Sequence, residues 1–236
     1  MHKIKTNKNV LITGASSGLG YALAESFTSN GWKSTNLGRK NSPACQENIL
    51  ADLSDLKLLD KKIKKFPLSQ IKKFDLIILN AAILGEINRI SFQNEDSIMQ
   101  VMKTNFFSNK IILDYILNNI DKSNLNIIAI SSGASQNPIS GWSSYCISKA
   151  SLNMLISCYA KEYPQHHFVS LCPGFVKSDM QKQIKNINPI EFPEIVGIQE
   201  KFDKMPMPKE VANLFIKKIE KIQNIQSGKF LRLNNL

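Results

Sequence analysis

Two residues near the middle of the chain are of types that can move a proton at a carbonyl group. Tyr145 and Lys149 stand four residues apart in a segment with helical spacing, so both project from one face of a helix. A phenol has an unperturbed pKa of about 10. A nearby ammonium favours the ionised form of the phenol and brings this pKa toward neutral pH. The pair alone also fits an exposed tyrosine and lysine on a helix surface.

A glycine-rich turn lies much earlier in the chain, at residues 13–20, between an apolar run and a helical segment. Gly14, Gly18 and Gly20 have no side chain and so allow the backbone to turn tightly or to approach a ligand closely. The helix that follows points its amino terminus at this turn, an arrangement that favours a bound phosphate. The turn therefore predicts a dinucleotide site, although such turns also serve as ordinary strand-to-helix connections.

The elements around these residues alternate between strands and helices. Apolar runs without polar alternation, typical of strands buried on both faces, occur at 10–12, 76–79, 127–130 and 168–171, and weaker strand candidates occur at 34–37, 49–50 and 230–231. Helical spacing covers 19–29, 56–65, 98–118, 144–161 and 209–222. This order predicts an α/β chain with a single-domain Rossmann fold over residues 1–236, built on a doubly wound parallel sheet of about seven strands with helices on both faces.

One segment interrupts that rhythm. Residues 177–208 contain four prolines and no sustained periodicity, and we interpret them as a lid or substrate loop.

The residues 13–20 resemble the T-G-x-x-x-G-x-G signature of the short-chain dehydrogenase/reductase family, and the resemblance extends along nearly the whole chain. Ser132 stands thirteen residues before Tyr145, which is the spacing of the family, and Asn105 falls where the family places a fourth catalytic residue. The resemblance implies an NAD(P)-dependent oxidoreductase in which Ser132 polarises the substrate carbonyl and Tyr145 protonates the developing alkoxide. It also implies that Lys149 bonds the nicotinamide ribose and that Asn105 holds a water in a proton relay.

The same resemblance implies a larger set of cofactor-binding residues. Asp52 and Leu53 would contact the adenine ring, and Asn80, Ala81 and Ala82 would lie along the cofactor, with Ala82 in place of the usual glycine. The segment 172–180 is similar to the family's P-G-x-V-x-T-x-M stretch, with Ser178 in place of threonine. The full predicted cofactor set is Gly14, Ser16, Ser17, Gly18, Leu19, Gly20, Arg39, Asp52, Leu53, Asn80, Ala81, Ala82, Tyr145, Lys149, Pro173, Gly174, Val176 and Ser178.

The end of the second strand decides between the two forms of the cofactor. An acidic residue there would bond the ribose 2′-hydroxyl and repel a 2′-phosphate. This chain has Gly38, Arg39 and Lys40, and Arg39 can pair with the phosphate, so we expect NADP(H) in preference to NAD(H). The alternative is that Arg39 and Lys40 are two solvated cations at the start of a loop.

Within the family the chain is most similar to sepiapterin reductases and bacterial benzil-type ketone reductases, through segments 80–85, 141–146, 178–181 and 227–230. Sepiapterin reductases anchor a pterin with an aspartate in the last strand, and Arg232 at the matching position disfavours that substrate. Trp142, Phe175 and Met180 are expected to form an apolar wall for a hydrophobic or aromatic ketone or diketone. The alternatives are a 3-oxoacyl-thioester or sugar-ketone reductase of the same family, or a non-catalytic cofactor-binding regulatory protein.

Composition limits the partners. The net charge of +11 comes with lysines spread along helical segments, which indicates solvated helix faces and no nucleic-acid or membrane partner. Residues 1–4 lack the apolar core of a secretory signal, and no apolar run is long enough to span a bilayer, so we expect a cytoplasmic protein. Three of the four cysteines are expected to be buried thiols, and the histidines lack ligand partners for a metal. The family resemblance implies a homodimer or homotetramer formed through helices 98–118 and 144–161, whose apolar Leu152, Leu155 and Ile156 could instead face the sheet.

Overall fold

The strands form one parallel sheet. The structure is a computed structural model that describes residues 8–185, 187 and 190–236; residues 1–4, His2 among them, and Pro189 of the predicted loop lie outside this part. The sheet order is β3-β2-β1-β4-β5-β6-β7, and every pairing is parallel. The strands are β1 (Asn9–Thr13), β2 (Lys33–Gly38), β3 (Glu47–Leu50), β4 (Phe74–Leu79), β5 (Asn126–Ile130), β6 (His167–Cys172) and β7 (Lys229–Arg232). The predicted doubly wound sheet of seven strands is confirmed.

Helices cover both faces of the sheet. The longer ones are α1 (Gly18–Ser29), α2 (Leu56–Lys64), α4 (Glu95–Met102), α5 (Ser108–Leu117), α6 (Ser143–Glu162) and α9 (Pro208–Gln223), and the shorter ones are α3 (Leu68–Ile71), α7 (Asp179–Lys185) and α8 (Val196–Gln199). Along β4, Leu76 and Ile78 pack into the core beneath α1 and α9, whereas Ile77 and Leu79 pack into the core beneath α2, α5 and α6. This alternation explains why the strands read as continuous apolar runs.

The predicted helix over 98–118 is interrupted. The structure has α4, then a π-helical turn at Lys103–Phe107, then α5, so the helix begins earlier and widens in the middle. The wider turn releases backbone groups, and the Asn109 side chain donates to the carbonyl of Asn105 at 2.8 Å. The periodic pattern in the sequence did not reveal this, because the π-helical turn is only five residues long and its period cannot be distinguished from that of the flanking helices.

The segment 177–208, which the sequence predicts to be a lid or substrate loop, contains short helices. The segment contains α7, α8 and two short 3-10 turns, and it buries Ile184, Phe192 and Ile195 in a cluster with Trp142 and Tyr145. Each helical piece is only one or two turns long, so the apolar period is too short to recognise in the sequence. Whether the segment opens as a lid remains a prediction.

Apolar side chains of helix α6 face the protein's own sheet. Leu152 and Ile156 are fully buried against the sheet and Leu155 packs partly against the same core, so these residues are not available to a second subunit. Cys158 is exposed, contrary to the expected burial, because it lies on the helix face that points away from the sheet. Cys146 and Cys172 are buried as expected.

Over the described ranges, no helix is both long and apolar enough to cross a membrane. The same residues contain no group of three or more His, Cys, Asp or Glu side chains arranged to hold a metal ion.

Candidate active site

The predicted site segments meet at one edge of the sheet. Each begins at the carboxyl end of a strand, and in a parallel sheet these ends lie side by side. Gly14 follows β1 and Asn80 follows β4, and these two strands are neighbours in the sheet. The chain continues from β1 to β2 on one side and from β4 to β5 on the other, and a crevice forms where the strand order reverses in this way. The strand order therefore brings together residues that are far apart in sequence.

The glycine turn is packed to the limit that glycine allows. Gly14 has a φ of +69°, and a Cβ on Gly20 would lie 2.3 Å from the Gly14 carbonyl oxygen and 2.5 Å from the Asn80 Nδ2. Real Cβ atoms do not approach that closely, so Gly20 admits no side chain. A larger residue would push the Gly14 turn and the Asn80 side chain out of their positions.

The amino terminus of α1 is available to an anion. Ser17 occupies the N-cap position, its side chain makes no capping bond, and the first turn has no acidic residue. The orphan N–H groups of a helix start favour a phosphate at this position. Ser178 lies opposite, with its Cβ 3.9 Å from the position of a Cβ on Gly18. The cradle thus fits a dinucleotide pyrophosphate.

Side chains that the sequence did not single out hold this cradle. The Thr13 hydroxyl accepts hydrogen bonds from the backbone N–H groups of Asn80 and Ala81, at 2.8 and 2.9 Å. Asn36, fully buried in β2, accepts from the Ala15 N–H and donates to the carbonyl of Lys40, both at 2.9 Å. Asn36 therefore links the glycine turn to the loop that carries Arg39. Its only signal in the sequence is a polar residue inside a buried strand.

The cofactor-selecting residues lie at the solvent edge. Arg39 and Lys40 are both exposed after β2, so the alternative of two solvated cations stays open. A hydrogen bond from the Ser54 backbone N–H holds the pKa of Asp52 below its usual value, and the nearby charge of Arg39 lowers it further. Leu53 is buried in the core beneath α2, so its side chain is a packing residue.

The catalytic side chains are brought together at the start of α6. Ser132 lies two residues after the end of β5, and its hydroxyl is near enough to the Tyr145 phenol to lower the pKa of the phenol. Lys149 lies one turn after Tyr145, with its Nζ 5.7 Å from the ring centroid. Tyr145 is 7% exposed and Lys149 is 2% exposed, which excludes the alternative of an exposed surface pair.

Burial changes the expected electrostatics. It raises the pKa of Tyr145 to about 12, with the Ser132 hydrogen bond opposing the shift, and lowers the pKa of Lys149 to about 8. The prediction that Lys149 brings the pKa of the phenol toward neutral stays a prediction, and in this arrangement the Lys149 charge does not offset the burial of the phenol. The reason is geometric, because the Lys149 ammonium donates to the Ile130 carbonyl at 2.7 Å, while desolvation dominates at the phenol.

Asn105 lies in the π-helical turn and ties two parts of the site together. Its side chain accepts from the Ile83 N–H and donates to the Ile83 carbonyl, both at 2.9 Å, and also donates to the Ser148 hydroxyl at 3.0 Å. The Ser148 hydroxyl in turn donates to the Tyr145 carbonyl at 2.8 Å. Asn105 thus joins the cofactor loop after β4 to the catalytic helix. Its role in holding a water stays a prediction.

The expected substrate wall is only partly assembled. Trp142 packs edge-on against Tyr145 with ring centroids 6.2 Å apart, and Met180 lies against the same cluster. Phe175 is 41% exposed and lies outside that cluster. The apolar neighbours of Tyr145 come instead from the 177–208 segment, through Ile184, Phe192 and Ile195.

The family of the chain follows from its similarity to known proteins. The family model described as short chain dehydrogenase matches residues 8–188. The chain belongs to this short-chain dehydrogenase family, whose members are oxidoreductases that use a nicotinamide dinucleotide.

Individual relatives carry more specific names. A benzil reductase ((S)-benzoin forming) of Bacillus cereus is 28% identical over 95% of this chain and 98% of its own length. A 3-oxoacyl-(acyl-carrier-protein) reductase of Rickettsia bellii is 28% identical over 97% of this chain and 96% of its own. Among solved structures, the YIR035C short chain dehydrogenase/reductase from Saccharomyces cerevisiae superimposes with a TM-score of 0.83 at 23% identity, covering 97% of this chain and 96% of that one.

Proposed function

We propose that this chain is an NADP(H)-dependent carbonyl reductase that acts on hydrophobic or aromatic ketones and diketones. The observation that carries the proposal is the burial of Tyr145 and Lys149 one helical turn apart, near the Ser132 hydroxyl and at the same sheet edge as the glycine cradle. The benzil reductase of Bacillus cereus, similar over nearly the whole chain, supports the substrate class.

The bound nicotinamide would supply the hydride, and the chain's own residues would manage the proton. With its pKa raised to about 12, the Tyr145 phenol stays protonated at neutral pH, which is the form that donates a proton to a developing alkoxide. The Ser132 hydroxyl is positioned to polarise the same oxygen. Lys149, with a pKa of about 8, is mostly protonated at pH 7 and places its charge beside the phenol.

The preference for NADP(H) rests on Arg39. It is exposed at the end of β2, and no acidic residue follows that strand at 39–42 to repel a 2′-phosphate. We expect Arg39→Ala to raise the KM for NADPH about 10-fold and to leave the KM for NADH unchanged. Lys33→Ala, an exposed cation at the other end of the same strand, is the matched control. An Arg39→Ala variant with unaltered NADPH affinity would disprove the cofactor assignment.

The substrate class is tested by following NADPH oxidation with benzil, a 3-oxoacyl thioester and a keto sugar. We expect benzil to give the highest kcat/KM, because the neighbours of Tyr145 are the apolar side chains of Trp142, Ile184 and Phe192. The second candidate is 3-oxoacyl-thioester reduction, favoured by the similarity to the Rickettsia bellii reductase. A thioester rate well above that of benzil would select it.

We further propose that the protein is a homodimer or homotetramer built through α4, α5 and α6. The support comes from exposed apolar side chains on two of these helices, Met99 on α4 and Ile147 and Met154 on α6. Exposed apolar residues that share a surface favour association with a second copy. Met154→Glu should shift the mass measured by light scattering toward the monomer, and Lys161→Glu is the control on the same helix.

A cytoplasmic location completes the proposal. A reducing compartment would keep the exposed Cys158 thiol free. Cell fractionation with an antibody to the chain tests it, and recovery in a secreted fraction would contradict it.

A further inference from the structure

Arg232 lies at the carboxyl end of β7, where it pairs with Cys172 of β6. Its neighbours Leu231 and Leu233 are buried in the core beneath α1 and α9. Because successive side chains of a strand alternate between faces, the Arg232 side chain lies on the other face of the sheet. That is the face of α6, which carries Tyr145.

The guanidinium reaches the turn that follows Ser132. Its Nη2 donates to the Gln136 Oε1 at 3.2 Å, and its Nη1 lies 3.4 Å from the position of a Cβ on Gly133. Gly133 is the next residue after Ser132, and consecutive Cα atoms are only about 3.8 Å apart. The positive charge therefore lies beside the backbone of the residue that directly follows Ser132.

This charge has no protein counter-ion where the chain is described. None of the ion pairs between described residues includes Arg232, and its two side-chain partners, Gln136 and the ring of Phe230, are both neutral. A guanidinium has five N–H donors, of which the bond to Gln136 uses one. If the side chain at position 232 served only to bond Gln136, a neutral amide would be sufficient. The remaining donors match the oxygens of a carboxylate or phosphate.

We propose that Arg232 is a specificity-determining residue that binds an anionic group, a carboxylate or phosphate, carried by the ketone substrate a few bonds from its carbonyl. The proposal rests on the proposed carbonyl reduction and adds that, among aromatic ketones of similar size, one that carries an anionic group is preferred to its neutral counterpart. The anion would sit beside Gly133, where the absence of a side chain leaves room, while the carbonyl lies at Ser132 and Tyr145.

The test compares substrates that differ in charge and share the reacting carbonyl. These are 3-acetylbenzoate and 3-acetylphenyl phosphate as anions and methyl 3-acetylbenzoate as the neutral reference. The variants are Arg232→Gln, which removes the charge and can still bond Gln136, Arg232→Lys, which keeps the charge, and the control Lys229→Gln, which removes an exposed charge from the same strand. Turnover is measured by NADPH oxidation, and binding of each compound is measured separately by calorimetry.

We expect Arg232→Gln to lower kcat/KM for the anionic ketones about 10-fold or more, mainly through KM, with the neutral ester changed less than about twofold. Arg232→Lys should restore part of the loss, and Lys229→Gln should behave as the parent chain. Comparing kcat/KM for the two anions shows whether the site prefers a carboxylate or a phosphate.

Two results would overturn the proposal: an equal loss on the ester and the anions, which would make Arg232 only a support of the Gln136 turn, or no loss on either. Binding distinguishes this from a failure of the proposed function. If calorimetry shows an anion preference that Arg232→Gln abolishes while no ketone is turned over, the anion site stands and carbonyl reduction fails. If ketones are turned over and charge has no effect, carbonyl reduction stands and the anion site fails.

Discussion

The glycine turn at 13–20 contains no ionisable side chain, whereas the catalytic group contains Tyr145 and Lys149, both buried. The turn is held by its backbone conformation and by hydrogen bonds in which the Thr13 and Asn36 side chains accept and the Asn80 side chain donates. The catalytic group places a phenol and an ammonium out of water, which shifts both pKa values. The glycine turn, one half of the site, is thus sensitive to steric changes. The catalytic group, the other half, is sensitive to changes in charge and protonation.

This difference predicts that substitutions in the glycine turn lower stability, whereas substitutions in the catalytic group lower turnover. A substitution in the glycine turn should damage folding and cofactor binding together. Removing a catalytic side chain should abolish turnover and leave the fold intact, because burial of its polar group opposes folding.

The largest effect is expected at Tyr145. Tyr145→Phe removes the proton donor and leaves the ring that packs against Trp142, so kcat should fall about 10²- to 10⁴-fold with NADPH affinity and Tm nearly unchanged. Steady-state kinetics, nucleotide titration and thermal unfolding provide the three measurements. Tyr163→Phe, at the far end of the same helix, is the control. Equal kcat in Tyr145→Phe and the parent chain would refute the mechanism.

The glycine turn should respond in the opposite way. Gly20→Ala places a Cβ 2.3 Å from the Gly14 carbonyl oxygen and should destabilise the fold by about 1–3 kcal/mol or more while weakening NADPH binding. Gly197→Ala in α8 is a matched control, because no atom lies within 4 Å of its added Cβ and alanine favours a helix by up to about 1 kcal/mol. Chemical denaturation gives both values. A Gly20→Ala chain as stable as the parent would contradict the steric argument.

Asn36 tests whether the turn and the Arg39 loop act as one unit. Asn36→Ala leaves the buried Ala15 N–H and the Lys40 carbonyl without their partner, at a cost of about 1–3 kcal/mol. The KM for NADPH should rise while kcat changes little, since the catalytic group is untouched. Asn126→Ala, at the amino end of β5, serves for comparison. A fall in kcat at constant KM would show that the two halves are not separate.

The smallest effect near neutral pH is the pH dependence of the catalytic half, about twofold between pH 7 and pH 8. Lys149 has a pKa of about 8, so its charge is present below that pH and is lost as pH rises through it. Carbonyl reduction should therefore decline above pH 8 by up to about tenfold per pH unit, as one proton is lost from an essential group. The Tyr145 phenol, with a pKa of about 12, stays protonated throughout that range. A flat profile between pH 7 and 10 would mean that the Lys149 charge is not needed.

The sequence by itself determined the order of the elements, the glycine turn and the spacing of Ser132, Tyr145 and Lys149. These depend on local patterns, because apolar runs mark buried strands and a four-residue step places two side chains on one helix face. The ends of the main helices were predicted within a few residues for the same reason. The family resemblance supplied the roles of the catalytic residues, which local patterns do not contain.

Only the tertiary structure decided how the elements meet. It placed Lys149 on the Ile130 carbonyl, so that burial and not pairing sets the pKa values. It joined Asn36 to the glycine turn, packed the 177–208 segment over Tyr145, and set Arg232 beside Gln136, 96 residues away in sequence. Such contacts depend on the strand order and on the side-chain direction in three dimensions, and neither is written in the spacing of residues along the chain.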